Sequence, residues 1–281
     1  MKCDLHTHTV HSDGSFTPSE LAAAAKELNI IIALTDHNTV SGLSEFMSEC
    51  ERIGVIAVGG VELSTVYNGS EFHLLGMFVE PEHYEEVEGL CTEYHVLKEK
   101  SNIDLIARLA AIGYVINYES IQKRNVKGRV NRAHIAADLL EKGYVSSISD
   151  AFERLLDEKC GIYTPPPRLG LIDAIGFLRG INAVPVLAHP LKDIDAVELR
   201  KIMPELIDAG LVGMETMHSS YSDEKITLSK EIAKEFGLLE SGGSDFHGSI
   251  KPGVALGVGK GNLDIPETIY YDLLDRRNSF I

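Results

Sequence analysis

The 281 residues, 44% of them apolar, supply enough hydrophobic material for a sizeable core. With 42 acidic residues against 26 basic ones the formal net charge is −16, a sign that repels a long polyphosphate backbone and excludes tight non-specific binding to long nucleic acid. A small anion stays admissible, because bound cations can reverse the potential locally.

No apolar run approaches the ~20 residues of a membrane span, and charge stands where a signal peptide needs an apolar stretch, so a cytoplasmic protein without a membrane partner is expected. Cys3, Cys50, Cys91 and Cys160 lie far apart with no CxxC pair, which fits reduced thiols. A first strand is expected over residues 2–5. Thr17-Pro18-Ser19-Glu20 is a capping box with proline at the first helical position, opening the apolar series Leu21, Ala22, Ala25, Leu28. Aliphatic runs at 29–34, 55–58, 72–79, 183–187, 211–217 and 238–241 read as buried strands. Gly143, Gly180, Gly210 and Gly237 each follow a helical pattern, where a left-handed cap would sit.

This alternation indicates an α/β fold with a parallel sheet. Histidines and acids stand just after successive strands: Asp36-His37, Glu62, His189, Glu215 to His218, Asp245 to His247. Side chains from the ends of many strands converge only if the strands surround a common axis, which favours a barrel over an open sheet. Residues 82–167 break the alternation. They are helical in pattern over 94–112, 132–141 and 149–156 and end at Pro165-Pro166-Pro167. The expected organisation is a barrel from residues 1–81 and 168–281, with 82–167 as a helical insertion over its mouth.

His6 and His8, two apart at a strand end, share a face and can reach one ion. Asp13 follows in a turn that can fold back over them, and Asp36-His37 ends an apolar run, a poor place for a charge that is neither paired nor metal-bound. Glu62, His73, His189, Asp245 and His247 occupy comparable positions. Singly, His73 reads as a core histidine and Asp245 as a turn residue; jointly, so many ligand-type residues at strand ends point to a metal site.

His6-Thr7-His8 with Asp13-Gly14, Thr35-Asp36-His37-Asn38, Gly60-Val61-Glu62-Leu63-Ser64, Ala188-His189-Pro190 and Gly243-Ser244-Asp245-Phe246-His247-Gly248 resemble, in order, the motifs of the polymerase and histidinol phosphatase (PHP) family. The resemblance implies a distorted (β/α)7, TIM-like barrel holding two or three divalent metal ions. It implies His6, His8, Glu62 and Asp245 at one ion, Glu62 with His73 and His189 at a second, and Asp13, His37 and His247 at a third. Asp13 stands where some relatives carry histidine. Mixed nitrogen and oxygen ligands without thiolates suit manganese first, with iron or zinc as alternatives.

The expected chemistry is hydrolysis of phosphate monoesters by a metal-activated hydroxide. Asp36 is a candidate to accept a proton or to orient a ligand, and His218 a candidate proton donor or phosphate ligand. Arg129, Arg132 and His134 at a helix start suit phosphate recognition, and Arg168 follows the prolines. Arg132-Ala133-His134 resembles a segment in the inserted domain of small-substrate PHP phosphoesterases, which implies a nucleotide, either a nucleoside monophosphate or a 3′,5′-bisphosphate. The alternatives are a histidinol phosphate phosphatase, an exoribonuclease acting from the 5′ end of short RNA, an amidohydrolase-like C–N hydrolase and a non-catalytic PHP module.

Overall fold

The computed structural model describes residues 1–124 and 130–280. In chain order the elements are β1 (Lys2–Asp4), α1 (Pro18–Leu28), β2 (Ile30–Leu34), α2 (Leu43–Ile53), β3 (Ala57–Tyr67), β4 (Ser70–Met77) and α3 (Tyr84–Ala111). Next come α4 (Tyr118–Arg124), α5 (Arg132–Glu141), α6 (Ile148–Ala151), α7 (Leu171–Gly180), β5 (Val184–Leu187), α8 (Pro190–Asp193) and α9 (Ala196–Asp208). The chain closes with β6 (Gly213–His218), α10 (Asp223–Glu235), β7 (Leu239–Gly243) and α11 (Glu267–Asn278). Two compact units result, Met1–Gly89 with Leu169–Ile281, and Leu90–Arg168, parting inside α3 rather than at residue 82.

In the first unit the seven strands pair in sequence order, β1 to β7. The backbone at the ends of β1 and β7 then nearly closes the ring: Leu5 N donates to Gly242 O (3.1 Å), Asp245 N to His6 O (2.9 Å) and His8 N to Phe246 O (2.9 Å). A buried carboxylate fastens the seam, as Asp4 accepts from Ser244 N (2.8 Å), Ser244 Oγ (2.6 Å) and Gly257 N (2.8 Å). This is the nearly closed α/β barrel expected. β2, apolar throughout and buried on both faces, shows why the sequence pattern is continuous rather than alternating. The apolar core joins Leu5, Ile31, Val186, Val212 and Ile265 to α11 through Leu273.

One strand departs from the parallel pattern. β4 runs antiparallel to both neighbours, because Asn68 and Gly69, both at positive φ (49° and 82°), form a two-residue hairpin that turns β3 straight back. That hairpin also carries β3 on to Tyr67, beyond the strand expected over 55–58, since β4 supplies partners from Gly60 to Tyr67. The Thr17 capping box is present, with Glu20 N donating to Thr17 Oγ1 (3.2 Å) and Thr17 N to Glu20 Oε2 (2.8 Å). Gly143, Gly210 and Gly237 take left-handed φ (71°, 109° and 66°), whereas Gly180 ends α7 inside the helix and Asn182 adopts the left-handed turn at 56°.

The second unit has its own core, including Leu105, Leu109, Ile135, Leu139 and Leu156. Its α5 begins on Asn131, whose side chain accepts from His134 N (3.1 Å). After α6 the chain forms a π turn over Phe152–Leu156 where one continuous helix was expected. Among the described residues no helix is long and apolar enough to cross a membrane.

Burial pushes the Cys3 and Cys50 thiols up to about 12, so neither forms a thiolate at ordinary pH. At pH 8 a thiol reagent is expected to label half-buried Cys160 in the native protein and to spare Cys3 and Cys50 until unfolding. Mass spectrometry of labelled peptides reads the result, and early labelling of Cys3 would contradict this burial.

Candidate metal centre

The barrel end formed by the C-termini of its parallel strands gathers the histidines and acids singled out above. His6 and His8 leave β1 fully buried, their ring centroids 5.1 Å apart. Behind them Gly243 leaves no room for a side chain, since a Cβ there would lie 2.3 Å from His6 Cβ. His37 follows β2 and forms a single bridge to Glu62 of β3. Because β4 is antiparallel, its N-terminal half lies at the same barrel end, and that places His73 opposite Ser64. His189 and Asp245, after β5 and β7, have left-handed backbones (φ 30° and 56°), conformations that cost energy in non-glycine residues and cluster at functional sites.

Glu62 is the hub. Its Oε1 lies 2.8 Å from His73 Nδ1 and 3.3 Å from His189 Nε2. Its Oε2 lies 3.1 Å from His6 Nε2, 3.2 Å from His8 Nε2 and 3.0 Å from His37 Nδ1. Asp245 Oδ1 stands 3.3 Å from His8 Nε2 and 3.8 Å from His6 Nε2. Asp13 Oδ1 stands 3.1 Å from His247 Nε2, and His247 Nδ1 is fixed by the carbonyl of Asp245 at 2.8 Å. All nine residues expected as ligands are thus brought together.

Asp36 folds the loop that carries Asp13. Its Oδ1 accepts from Thr9 N (2.7 Å) and Ser12 Oγ (2.5 Å), and its Oδ2 from Thr9 Oγ1 (2.5 Å). His218 points Nε2 at Asp245 Oδ2 (3.4 Å) and Nδ1 at Ser220 Oγ (2.8 Å). Arg132, His134 and Arg168 belong to the second unit, and Arg129 lies outside the described residues. There the Arg132 guanidinium stacks over Tyr163, 4.3 Å from the ring centroid, and donates to Leu156 O (3.0 Å). His134 Nδ1 accepts from Asn131 N (3.1 Å), and Arg168 pairs with Glu158 at 3.7 Å.

Three polar residues at this barrel end carried no role in the sequence reading. Glu215, fully buried, contacts His6 Nδ1 (3.0 Å) and His189 N (2.7 Å). A charged residue inside the apolar run of β6 was the available signal. Asp4 is fully buried at the end of β1. Lys251, whose Nζ is 2.8 Å from Asp245 Oδ2, stands in a polar turn that gives no sequence signal.

The donor set suits cations. Buried atoms without a hydrogen-bond partner include His6 Nε2, both ring nitrogens of His8, His37 Nδ1, Glu62 Oε2, His73 Nδ1 and His247 Nε2. They approach carboxylate oxygens closely yet are not aimed at them, and unpaired polar atoms buried in such number call for a missing partner. Four groups bring their ligand atoms within 4.8 Å of one another: His8, Asp13, His37, His247; His6, Glu62, His189; His6, His8, Asp245; and His37, Glu62, His73. These clusters fit divalent metal ions.

Charge interactions agree. Burial alone would raise the Glu62 carboxyl, but His37, His6 and His73 hold it well below its ordinary range. Asp13 and Asp245 are depressed against burial in the same way, by His247 and by His218 and His8 respectively.

A (β/α) barrel with imidazoles and carboxylates converging at one end defines a class, the metal-dependent hydrolases. Comparison with known proteins agrees: the PHP domain model matches residues 4–161. A 5′-3′ exoribonuclease of Haemophilus influenzae is 30% identical over 249 residues, covering 88% of this chain and 90% of that protein. A 3′,5′-nucleoside bisphosphate phosphatase of Chromobacterium violaceum is 28% identical over 247 residues, 87% and 86% of the two chains. Among solved structures, a Bifidobacterium adolescentis protein assigned to the metal-dependent phosphoesterases aligns with TM-score 0.75 at 27% identity, covering 98% of this chain and 96% of that one. A Chromobacterium violaceum amidohydrolase with bound sulfate aligns with TM-score 0.78 at 26% identity, covering 98% and 97%. The chain belongs to the PHP domain family.

Burial pulls the His8 and His73 imidazoles down. Asp245 and Glu62 nevertheless raise His8 to about 8, and Glu62 and Glu71 raise His73 to about 10. Protons therefore compete with metal for these nitrogens, and affinity should rise as pH increases from 6 through 8. Against burial, Glu62 and Glu215 likewise raise His6 well above its ordinary value, so calorimetry at pH 7 in buffers of different ionisation enthalpy should show net proton release on metal loading; no release would contradict the arrangement.

Proposed function

We propose that this protein removes phosphate from small nucleotides, with nucleoside 3′,5′-bisphosphates as the leading substrate class and manganese as the working ion. One observation carries the reading: a buried glutamate is ringed by five imidazoles, and unpartnered nitrogens of four of them, His6, His8, His37 and His73, converge with two further carboxylates. His6, His8 and Asp245 with Glu62 would hold one ion, and His73 and His189 with the other Glu62 oxygen a second. Asp13, His37 and His247, joined by His8, would hold a third. Bound there, such ions supply Lewis acidity toward a phosphoryl oxygen and bring the pKa of water toward neutrality.

The side chains do the rest. Three divalent charges against Asp13, Glu62, Asp245 and the nearby Glu215 would leave a surplus of about +2, the complement of a phosphate dianion. Lys251 adds an ammonium at the rim, 2.8 Å from Asp245 Oδ2, and can turn its donors to a phosphoryl oxygen. Burial keeps His218 below the usual histidine range. Neutral at pH 7, it is better suited to donate a ring N–H hydrogen bond to a phosphoryl oxygen than to release a proton. Asp36, with three donors on its carboxylate, acts through the loop it folds and so through the position of Asp13.

The bisphosphate phosphatase of Chromobacterium violaceum supports the substrate class. The exoribonuclease of Haemophilus influenzae favours a second reading, short 5′-phosphorylated RNA, which the net charge of −16 weakens for longer strands. The amidohydrolase name of one neighbour favours C–N hydrolysis, against which the bridging position here is a glutamate rather than a lysine.

Manganese-loaded protein should release phosphate from a nucleoside 3′,5′-bisphosphate faster than from histidinol phosphate or a 5′-phosphorylated tetranucleotide, and should not cleave amides. The His6→Ala/His8→Ala variant should fall to background while its circular dichroism stays native. Full activity in that variant would overturn the assignment of the site, and amide cleavage without phosphate release would replace the reaction class.

A further inference from the structure

We infer that Glu215 is a positioning residue of the metal centre, which sets the tautomer of His6 and the backbone of His189 with one buried carboxylate. The inference rests on the proposed ligand roles of those two histidines and adds what aims them.

Glu215 lies on β6, fully buried, and its two oxygens serve two different strands. Oε1 is 3.0 Å from His6 Nδ1, beyond β1, and Oε2 accepts the backbone N–H of His189 at 2.7 Å, beyond β5. A hydrogen bond from Nδ1–H to a carboxylate leaves the lone pair of the imidazole on Nε2, and that is the His6 nitrogen facing Glu62 and Asp245. His189 N is a fixed donor at a residue whose backbone is left-handed (φ 30°, ψ 46°), a conformation costly without outside support. Held there, its Nε2 reaches the other Glu62 oxygen at 3.3 Å. The rings of His6 and His189 stack with centroids 5.7 Å apart and planes 14° apart, so one carboxylate orients two parallel imidazoles aimed at opposite oxygens of one bridge.

Both partners of Glu215 are donors, so the position requires two acceptors. Glutamine has the same shape and one acceptor. With its oxygen toward His189 N, its amide would donate to His6 Nδ1 and move the ring proton to Nε2, where it blocks metal. With its oxygen toward His6, the amide would confront the N–H of His189. The shape of the core survives either way and the aim of one ligand does not.

The test is Glu215→Gln, with free Mn(II) followed by its electron paramagnetic resonance signal during titration of wild type and variant. The expected result is native circular dichroism with Mn(II) affinity weakened 10–100-fold, and with kcat recovering at high Mn(II) while KM is unchanged. Wild-type affinity in a folded variant would overturn the inference, as would lost stability with unchanged affinity in the folded fraction, which marks a merely structural role. If wild type itself binds no Mn(II), the metal reading fails first and the inference with it. Should the variant not fold, nitrogen NMR of zinc-loaded wild type with His6 assigned decides the matter: protonated Nδ1 with metal on Nε2 is expected, and the reverse would overturn the inference.

Discussion

A single buried carboxylate organises this protein. Glu62 has no exposure to solvent, and an unpaired charge in such a place would cost several kcal/mol. Five imidazoles from four other barrel segments answer it, three on one oxygen and two on the other. In a protein without metal, protonated histidines meet part of this cost, in line with the raised values at His6, His8 and His73. Cations solve the same electrostatic problem more completely, because they satisfy both the carboxylate and the nitrogen lone pairs that no hydrogen bond uses.

The barrel exists in a form that makes this convergence feasible. Its parallel strands bring His6, His37, His189, His218 and Asp245 to one end, as any such barrel would. The reversal at Asn68-Gly69 adds what parallel strands cannot, a residue from the start of a strand, His73, at that same end. Closure between β1 and β7 sets Asp245 and His247 against His6 and His8 through backbone hydrogen bonds, and Asp4 ties the seam from beneath. The left-handed backbones of His189 and Asp245 are the strain this arrangement carries.

Much of this was legible in the sequence. Strand positions followed from aliphatic runs, and the gathering of acids and imidazoles at one barrel end from their placement where apolar context makes solvated roles improbable. The antiparallel β4 was missed because its aliphatic run looks like any buried strand, although the Asn-Gly pair before it is a hairpin signal. Glu215 was passed over because a buried acid that accepts hydrogen bonds and one that holds metal have the same one-letter pattern; only the distances to His6 Nδ1 and His189 N separate them. Lys251 was invisible, since a lysine in a polar turn is ordinarily solvated. Arg132 reads as a phosphate-recognition residue at a helix start; its guanidinium packs on Tyr163 within its own unit, a use of arginine that periodicity does not report.

The central claim is that the two Glu62 oxygens bridge separate cations. Anomalous diffraction from zinc-loaded crystals tests it most directly. The account predicts one peak within about 2.2 Å of Oε1 beside His73 and His189, and another within about 2.2 Å of Oε2 beside His6 and His8. Ions bound elsewhere, with Glu62 still surrounded only by imidazolium rings, would contradict it.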